Sequence, residues 1–404
     1  MPFFITDHTW AEISLDTLSS NVSNIKKLLS PKTRLTASVK ANAYGHGLTH
    51  AAKIILESGA DCLEVANIHE AIALRDAGIT APIMLLSYTP PENAIIIVNR
   101  NIIAAIGDFT TAKSLSNAAL RLNKTCRVHI KIDTSGAEYG YTFDKNENWH
   151  DAIGAILDLY KMPGLKIEGI FSQLEPVPPP IHSAENGHGT NQKEHYKHQF
   201  RRFKSLLKCL ESEGISPPIC HICGSHGTVL SPEMHLDMIR TGILLYGYIP
   251  ETIINHQNYL QKPTPTEIGP PDSAPQNWLS HWHSAVKPVM ALKTTIASII
   301  NNKTAILPIG YADGYPLALS ARGMVLINEQ LVKIIGKISV NQCMIDTTNV
   351  NHITNGDEVT LFGAQQLTAE DVAHHANTVT YDILSGIGGH IRKVLINNGC
   401  KSTL

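Results

Sequence analysis

At 404 residues the chain is long for one domain and comfortable for two, and it can bury a barrel-sized core. Apolar residues at 43% and charged residues at 17% exclude a mostly disordered chain, and a net charge of -2 gives nucleic acid or an anionic membrane no footing as partner. No apolar run approaches the roughly 20 residues of a membrane span, MPFFITDHTW lacks the basic and apolar parts of a secretion signal, and seven scattered cysteines (Cys62, Cys126 and Cys220 among them) read as reduced thiols of a cytoplasmic protein.

Residues 1–10 are expected to pack with the C-terminal domain, and residues 9–15 alternate like a strand. Asp16 can cap a helix that carries Leu18, Val22, Ile25 and Leu29 at helical spacing. Strand-like runs then fall near 35–40, 61–66, 82–87, 102–106, 126–133, 166–172, 218–223 and 236–245. Helical patterns fill most gaps, at 48–58, 68–77, 91–99, 109–121, 149–160 and 192–213. Most of the runs are apolar throughout, as parallel strands buried on both faces are. Eight such strands interleaved with helices over about 235 residues predict an α/β fold, a (β/α)8 TIM barrel spanning 11–249. The Pro-, Gly- and His-rich residues 174–191 after the sixth strand predict a long loop on the catalytic side. Residues 250–284, centred on PTPTEIGPP, read as a linker. Short alternating strands with Gly and Asn turns predict a C-terminal β-rich domain over 285–404, with a helix at 367–375 and a closing strand near 391–396. Cys220-His221-Ile222-Cys223 lacks the second pair a zinc site needs, and His195 and His198 lack a carboxylate or cysteine at ligand spacing, so no metal is expected.

The stretch that organises the chain is LTASVKANAYGHG, residues 35–47. An apolar run delivers Lys40 to its own end, and Gly45-His46-Gly47 come soon after. A lysine on a rigid element at the mouth of a sheet suits covalent capture of a carbonyl cofactor. By pattern alone such a residue is more often a surface lysine after an edge strand. VKANAYGHG, however, resembles the pyridoxal-phosphate lysine motif of the alanine racemase family. IRTGILLYG, PIGYADGYP, VNQCMID and YDILSGI extend the resemblance along nearly the whole chain.

The resemblance implies a pyridoxal 5'-phosphate-dependent amino-acid racemase or epimerase, a homodimer with its site between subunits. Lys40 matches the lysine that carries the cofactor and acts as acid and base on one face of the substrate. Tyr44 and Ser225 match phosphate ligands, and Gly242 and Ile243 match backbone donors to the phosphate. Arg240 matches the arginine that faces the pyridine nitrogen. Tyr311 matches a residue that reaches the active-site entrance from the other subunit of the dimer.

The departures fall on the substrate side. The family's second base is a tyrosine just before PIGYADG, and here that segment is missing between Ile299 and Pro308. The arginine that helps hold the substrate carboxylate is Glu138, beside Lys131, which in the family is often carbamylated. Glu138 offers Lys131 an ion-pair partner, so no carbamate is expected. Gln173, Gly224, Val340, Asn341 and Gly389 replace other family residues. The expectation is an altered substrate or weak alanine turnover. The alternatives are a decarboxylase or lyase using Lys40 alone, or a cofactor-binding paralogue without catalysis. Tyr311, Cys343 or a histidine from 174–191 are the substitutes considered for the second base.

Overall fold

The computed structural model describes residues 7–136, 138–143, 149–175, 192–250, 278–301 and 303–403. The first strand, β1 (Thr9–Ser14), is followed by the barrel strands β2 (Arg34–Ser38), β3 (Cys62–Val65), β4 (Ile83–Leu85), β5 (Ile103–Ile106) and β6 (Cys126–Asp133). The short β7 (Tyr141–Thr142) pairs on β6, off the barrel path. The barrel continues with β8 (Leu165–Phe171), β9 (Cys220–His221) and β10 (Met238–Thr241). Each strand lies parallel to the next from β2 to β9, and β10 pairs with β2 from Met238 against Arg34 to Thr241 against Ala37. Between β9 and β10 the closure is carried by Asp237 N donating to Cys220 O (3.2 Å) and Arg240 N to Cys223 O (2.9 Å). The barrel is thus nearly closed, with Leu35, Ala37, Leu63, Val65 and Ile130 buried.

The crossover helices lie where the apolar spacing puts them: Leu48–Glu57, Ile68–Asp76, Ala94–Asn99, Phe109–Arg121, Trp149–Tyr160 and Gln192–Ser212. Side-chain caps start two of them. Asn67 accepts from Glu70 N (3.0 Å) and Asp108 from Thr111 N (2.8 Å), filling donors a helix start leaves open.

The second domain is built on one ten-stranded sheet. Its strands are β11 (Met290–Thr295), β12 (Ser298–Ile300), β13 (Thr304–Leu307), β14 (Met324–Ile327), β15 (Gln330–Ile335), β16 (Cys343–Asp346), β17 (Glu358–Phe362), β18 (Arg392–Asn397) and β19 (Cys400–Thr403). The tenth strand is β1, inserted between β11 (antiparallel) and β18 (parallel). Residues 11–14 therefore belong to this sheet and not to the barrel, which corrects the boundary at residue 10. The reason is pairing on both edges, with Ala11 and Ile13 fully buried. Helices Ala369–Ala376 and Thr380–Ser385 precede β18, and the second lies against the segment Lys40–Tyr44, with the Tyr381 and Tyr44 rings 6.0 Å apart.

The linker also ends earlier than its prolines suggest. Residues Trp278–Ala285 form a helix whose Trp278 and Trp282 are buried edge to face, 5.7 Å apart. Trp278 Nε1 donates to Val229 O (2.7 Å). An aromatic pair at i, i+4 outweighs the surrounding Pro-rich composition. Asn21 on the first helix donates to Leu245 O (2.9 Å) and Lys287 O (2.8 Å), tying barrel, helix and second domain together. The rest of the linker and the loop from 176 to 191 lie outside the described residues. Among the described residues no helix is long and apolar enough to cross a membrane.

Candidate active site

The strand that leads to Lys40 stops two residues short of it, at Ser38. Beyond Lys40 the backbone makes a left-handed turn. Ala41, Asn42, Ala43 and Tyr44 have φ of 53°, 55°, 55° and 51°. Each non-glycine residue there costs about 1–2 kcal/mol, so the turn persists only because its surroundings dictate it. Glu70 accepts from Asn42 N (3.2 Å), and Asn42 Oδ1 accepts from Leu48 N (2.8 Å). The His46 ring bonds back to the carbonyls of Ala43 and Tyr44 (2.9 Å each) and stacks on Tyr246 at 4.4 Å. Burial lowers the pKa of His46 to about 4, so the ring is neutral and tolerates the apolar setting. Tyr246 in turn donates to Ser38 O (3.0 Å), locking the end of β2.

The turn aims Lys40 and Tyr44 into a cavity of about 360 Å³ at the C-terminal ends of the barrel strands. Ser225, Arg240 and Gly242 line the same cavity. The Tyr44 oxygen and, more weakly, the carboxylates of Glu64 and Glu138 hold Lys40 above an ordinary lysine, against the effect of burial. At one end three donors gather. Ser225 Oγ bonds Thr241 Oγ1 (2.8 Å) and accepts from Gly242 N (3.1 Å). A Cβ on Gly242 would meet Tyr44 Oη at 2.4 Å, so the phenol lies directly over that glycine. Ile243 is next in the chain, its side chain buried behind the cavity wall. Two hydroxyls and strand-end N–H groups are what a phosphate dianion requires.

At the other end Arg240, 3% exposed, is bonded on most sides. One terminal nitrogen donates to Ser172 O (3.0 Å) and Gln173 Oε1 (2.7 Å), and the other donates to His221 Nδ1. A guanidinium has only donors, so His221 accepts at Nδ1 and carries its proton on Nε2. That proton points to His129 Nδ1, 2.8 Å away. Both tautomers are thus dictated by the arginine, and burial keeps both rings neutral, His129 with a pKa of about 3. Arg240 Nε has no hydrogen-bond acceptor among the described residues, and neither does Glu64 Oε2, 3.5 Å away, have a donor. A buried N–H left open costs free energy, and a ring nitrogen entering the cavity would satisfy it. These observations fit pyridoxal phosphate: lysine, phosphate cradle and ring-nitrogen donor converge on one cavity.

The substrate side is different in character. The Asp133 carboxylate shapes the turn after β6 by accepting from the N–H of Ser135 (2.9 Å), Gly136 (2.8 Å) and Glu138 (3.2 Å). That turn brings Glu138 to Lys131 at 2.5 Å, the ion pair the sequence led us to expect. Glu175, after β8, lines the same cavity as Glu138. Its backbone is clamped by the buried Gln199, which accepts from Glu175 N (3.0 Å) and donates to Glu175 O (2.8 Å). Burial and the neighbouring Glu138 raise the Glu175 carboxyl from 4.5 to about 7.

The missing tyrosine segment and two residues considered in its place stand as follows within one chain. β12 and β13 pair directly, Ser298 with Ile306 and Ile300 with Thr304, so the hairpin has no segment that could reach the cavity. Tyr311 is 47% exposed on the second domain and does not line this cavity. Cys343 is buried and its thiol is pushed up to about 12, which removes it as a base. The sequence reading missed Glu64, Glu175 and Tyr381, all of which line the cavity. Glu64 was visible as a single carboxylate inside the apolar run Cys62–Val65, and Glu175 as the last charge before the Pro-rich loop.

Residues 13–250 match the N-terminal domain of alanine racemase and residues 292–395 its C-terminal domain. The chain belongs to the alanine racemase family. It is 36% identical to the alanine racemase of Clostridium perfringens over 96% of this chain and 95% of that one. With the alanine racemase of Methanococcus maripaludis it shares 32% identity over 96% of this chain and 98% of that one. Among solved structures, alanine racemase of Clostridium difficile 630 in complex with cycloserine superposes with a TM-score of 0.82 at 30% identity, covering 99% and 98% of the two chains. The alanine racemase of Bacillus anthracis with bound L-Ala-P gives 0.78 at 25% identity, covering 100% of this chain and 98% of that one. The chain is accordingly a racemase of a pyridoxal-phosphate-dependent family, and the alternative reaction classes are not favoured.

Proposed function

We propose that the chain racemises a free amino acid in the cytoplasm, with pyridoxal 5'-phosphate held covalently by Lys40. The convergence of Lys40 with the Ser225, Tyr44 and Gly242 cradle in one cavity carries this reading. Ser225, Tyr44 and the N–H groups of Gly242 and Ile243 would hold the phosphate, and Arg240 would donate toward the ring nitrogen. When bound, the cofactor supplies a sink for the electron pair left as the α C–H bond breaks. A guanidinium there would keep the ring nitrogen unprotonated, tempering that sink and favouring return of the proton over side reactions. Lys40 Nζ removes or returns the α-proton on its own face. Lys131 keeps Glu138 as its counter-ion and carries no carbamate.

The active form is a homodimer in which Tyr311, exposed outside its own cavity, reaches the entrance of the other subunit's. Borohydride treatment of the cofactor-loaded protein fixes the label on Lys40, and Lys40→Ala loses the visible absorption while its circular dichroism stays that of the parent. A label on another lysine refutes the assignment. Sedimentation at micromolar concentration gives a dimer, and a monomer that remains fully active refutes the shared site.

A further inference from the structure

We propose that Glu175, held against Glu138, is the proton-transfer group that serves the substrate face opposite Lys40. The inference rests on the racemase reading, since inversion needs proton removal on one face and return on the other.

Barrel topology supplies the first argument. Lys40 enters the cavity from the end of the first barrel strand, β2. Glu138 enters after the fifth, β6, which stands directly across an eight-stranded ring, and Glu175 after the sixth, β8. A ligand attached at Lys40 therefore has the lysine on one side and the carboxyl pair on the other. The same cavity is lined by the buried Arg240, whose Nε makes no hydrogen bond among the described residues and has only Glu64 Oε2 near it, 3.5 Å away, an independent sign that a ligand completes it.

The second argument is where the proton sits. Lys131 is the ion-pair partner of Glu138, while Glu175, lining the same cavity, has no such cation partner among the described residues and is the carboxyl placed to carry a proton. The groups facing Glu175 come from several elements. They are Lys131 and Glu138 from β6 and its turn, Lys40 beyond β2, Glu64 on β3 and Arg240 on β10. His226, after β9, is lowered to about 4 by burial and is uncharged. Among them burial and Glu138 dominate and hold the Glu175 carboxyl at about 7, where acid and base forms coexist near neutrality.

The third argument is positioning. The Gln199 amide grips both backbone groups of Glu175, which fixes a residue beyond the end of β8 as firmly as one inside a strand. β12 and β13 pair directly, without the family's tyrosine segment, and of the carboxyls lining the cavity Glu64 lies against Arg240 and Glu138 against Lys131, which leaves Glu175 to replace it.

The step balances simply. The α C–H bond breaks toward Lys40 Nζ, which gains the proton, and the electron pair stays with carbon. A new C–H bond forms on the other face with the Glu175 O–H proton, leaving a carboxylate. Lys40 then gives its proton to water and Glu175 regains one, so the net change is inversion alone. The reverse direction uses Glu175 as base.

The test uses the full-length, cofactor-loaded protein in deuterated water with separate L and D amino acids, beginning with alanine. In Glu175→Gln, α-deuterium exchange of the enantiomer served by Lys40 persists within a few-fold, while inversion falls by a factor of about 10²–10⁴. The rate limb near pH 7 disappears. Infrared spectra of cofactor-free protein labelled with ¹³C-glutamate show a protonated carboxyl band that titrates near pH 7 and is absent from Glu175→Gln. In Glu138→Gln the same band titrates at lower pH, because the repelling charge is gone. Exchange and inversion that fall together, or that both survive in Glu175→Gln, overturn the proposal and leave the racemase reading standing. A parent that exchanges no amino acid overturns both.

Discussion

Glu175 and Gly242 show how much a single position carries. A carboxyl held at about 7 in the fold, against 4.5 for an ordinary glutamate, binds its proton more tightly folded than unfolded. The stability this contributes is complete below about pH 4.5 and is lost as pH rises toward 7. Cofactor-free parent should therefore lose stability over that window relative to Glu175→Gln, measured as the difference between their urea midpoints at each pH. Parallel curves would show that the carboxyl titrates normally. At Gly242 a methyl group would lie 2.4 Å from Tyr44 Oη. Gly242→Ala should thus expel the phenol, weaken cofactor binding at least tenfold in an equilibrium titration, and cost little stability. Full affinity would show that the phosphate is held without Tyr44.

At the scale of elements, the left-handed turn at Lys40 joins local strain to function. Ala41 is exposed at φ 53°, so its methyl group costs conformational energy without contributing packing. Ala41→Gly should stabilise the cofactor-free protein by about 0.5–1 kcal/mol, the relief of left-handed strain less the added freedom of the unfolded chain. A lower denaturation midpoint would show that the strain is absent. This turn was not legible in the chain. Ala-Asn-Ala-Tyr has no local preference for four positive φ angles, and the groups that impose them, Glu70 and Tyr246, are far off in sequence. The barrel helices were legible because spacing and caps such as Asn67 and Asp108 are local signals. Of the site, the lysine motif and phosphate cradle were readable by resemblance. The pairing of Glu138 with Glu175 was not, because it joins loops after two different strands. The Trp278–Ala285 helix was hidden by the prolines before it.

For the whole molecule, β1 matters beyond its length. It lies between β11 and β18 with Ile13 fully buried, and the first helix hangs directly from it onto the barrel. Ile13→Ala should cost about 2–5 kcal/mol, and barrel and sheet should still unfold in one transition seen by both tryptophan fluorescence and far-ultraviolet circular dichroism. Two separated transitions would mean that β1 does not couple the domains. The same strand orders events on the ribosome. Residues 9–14 emerge well before their partners at 290–295 and 392–397. At a synthesis rate of about 5–20 residues per second, an apolar strand waits on the order of 15–55 s for its first neighbour and 20–80 s for its second. Throughout that wait the nascent barrel carries a sticky leader, a natural handle for chaperones and for aggregation between neighbouring chains on one message.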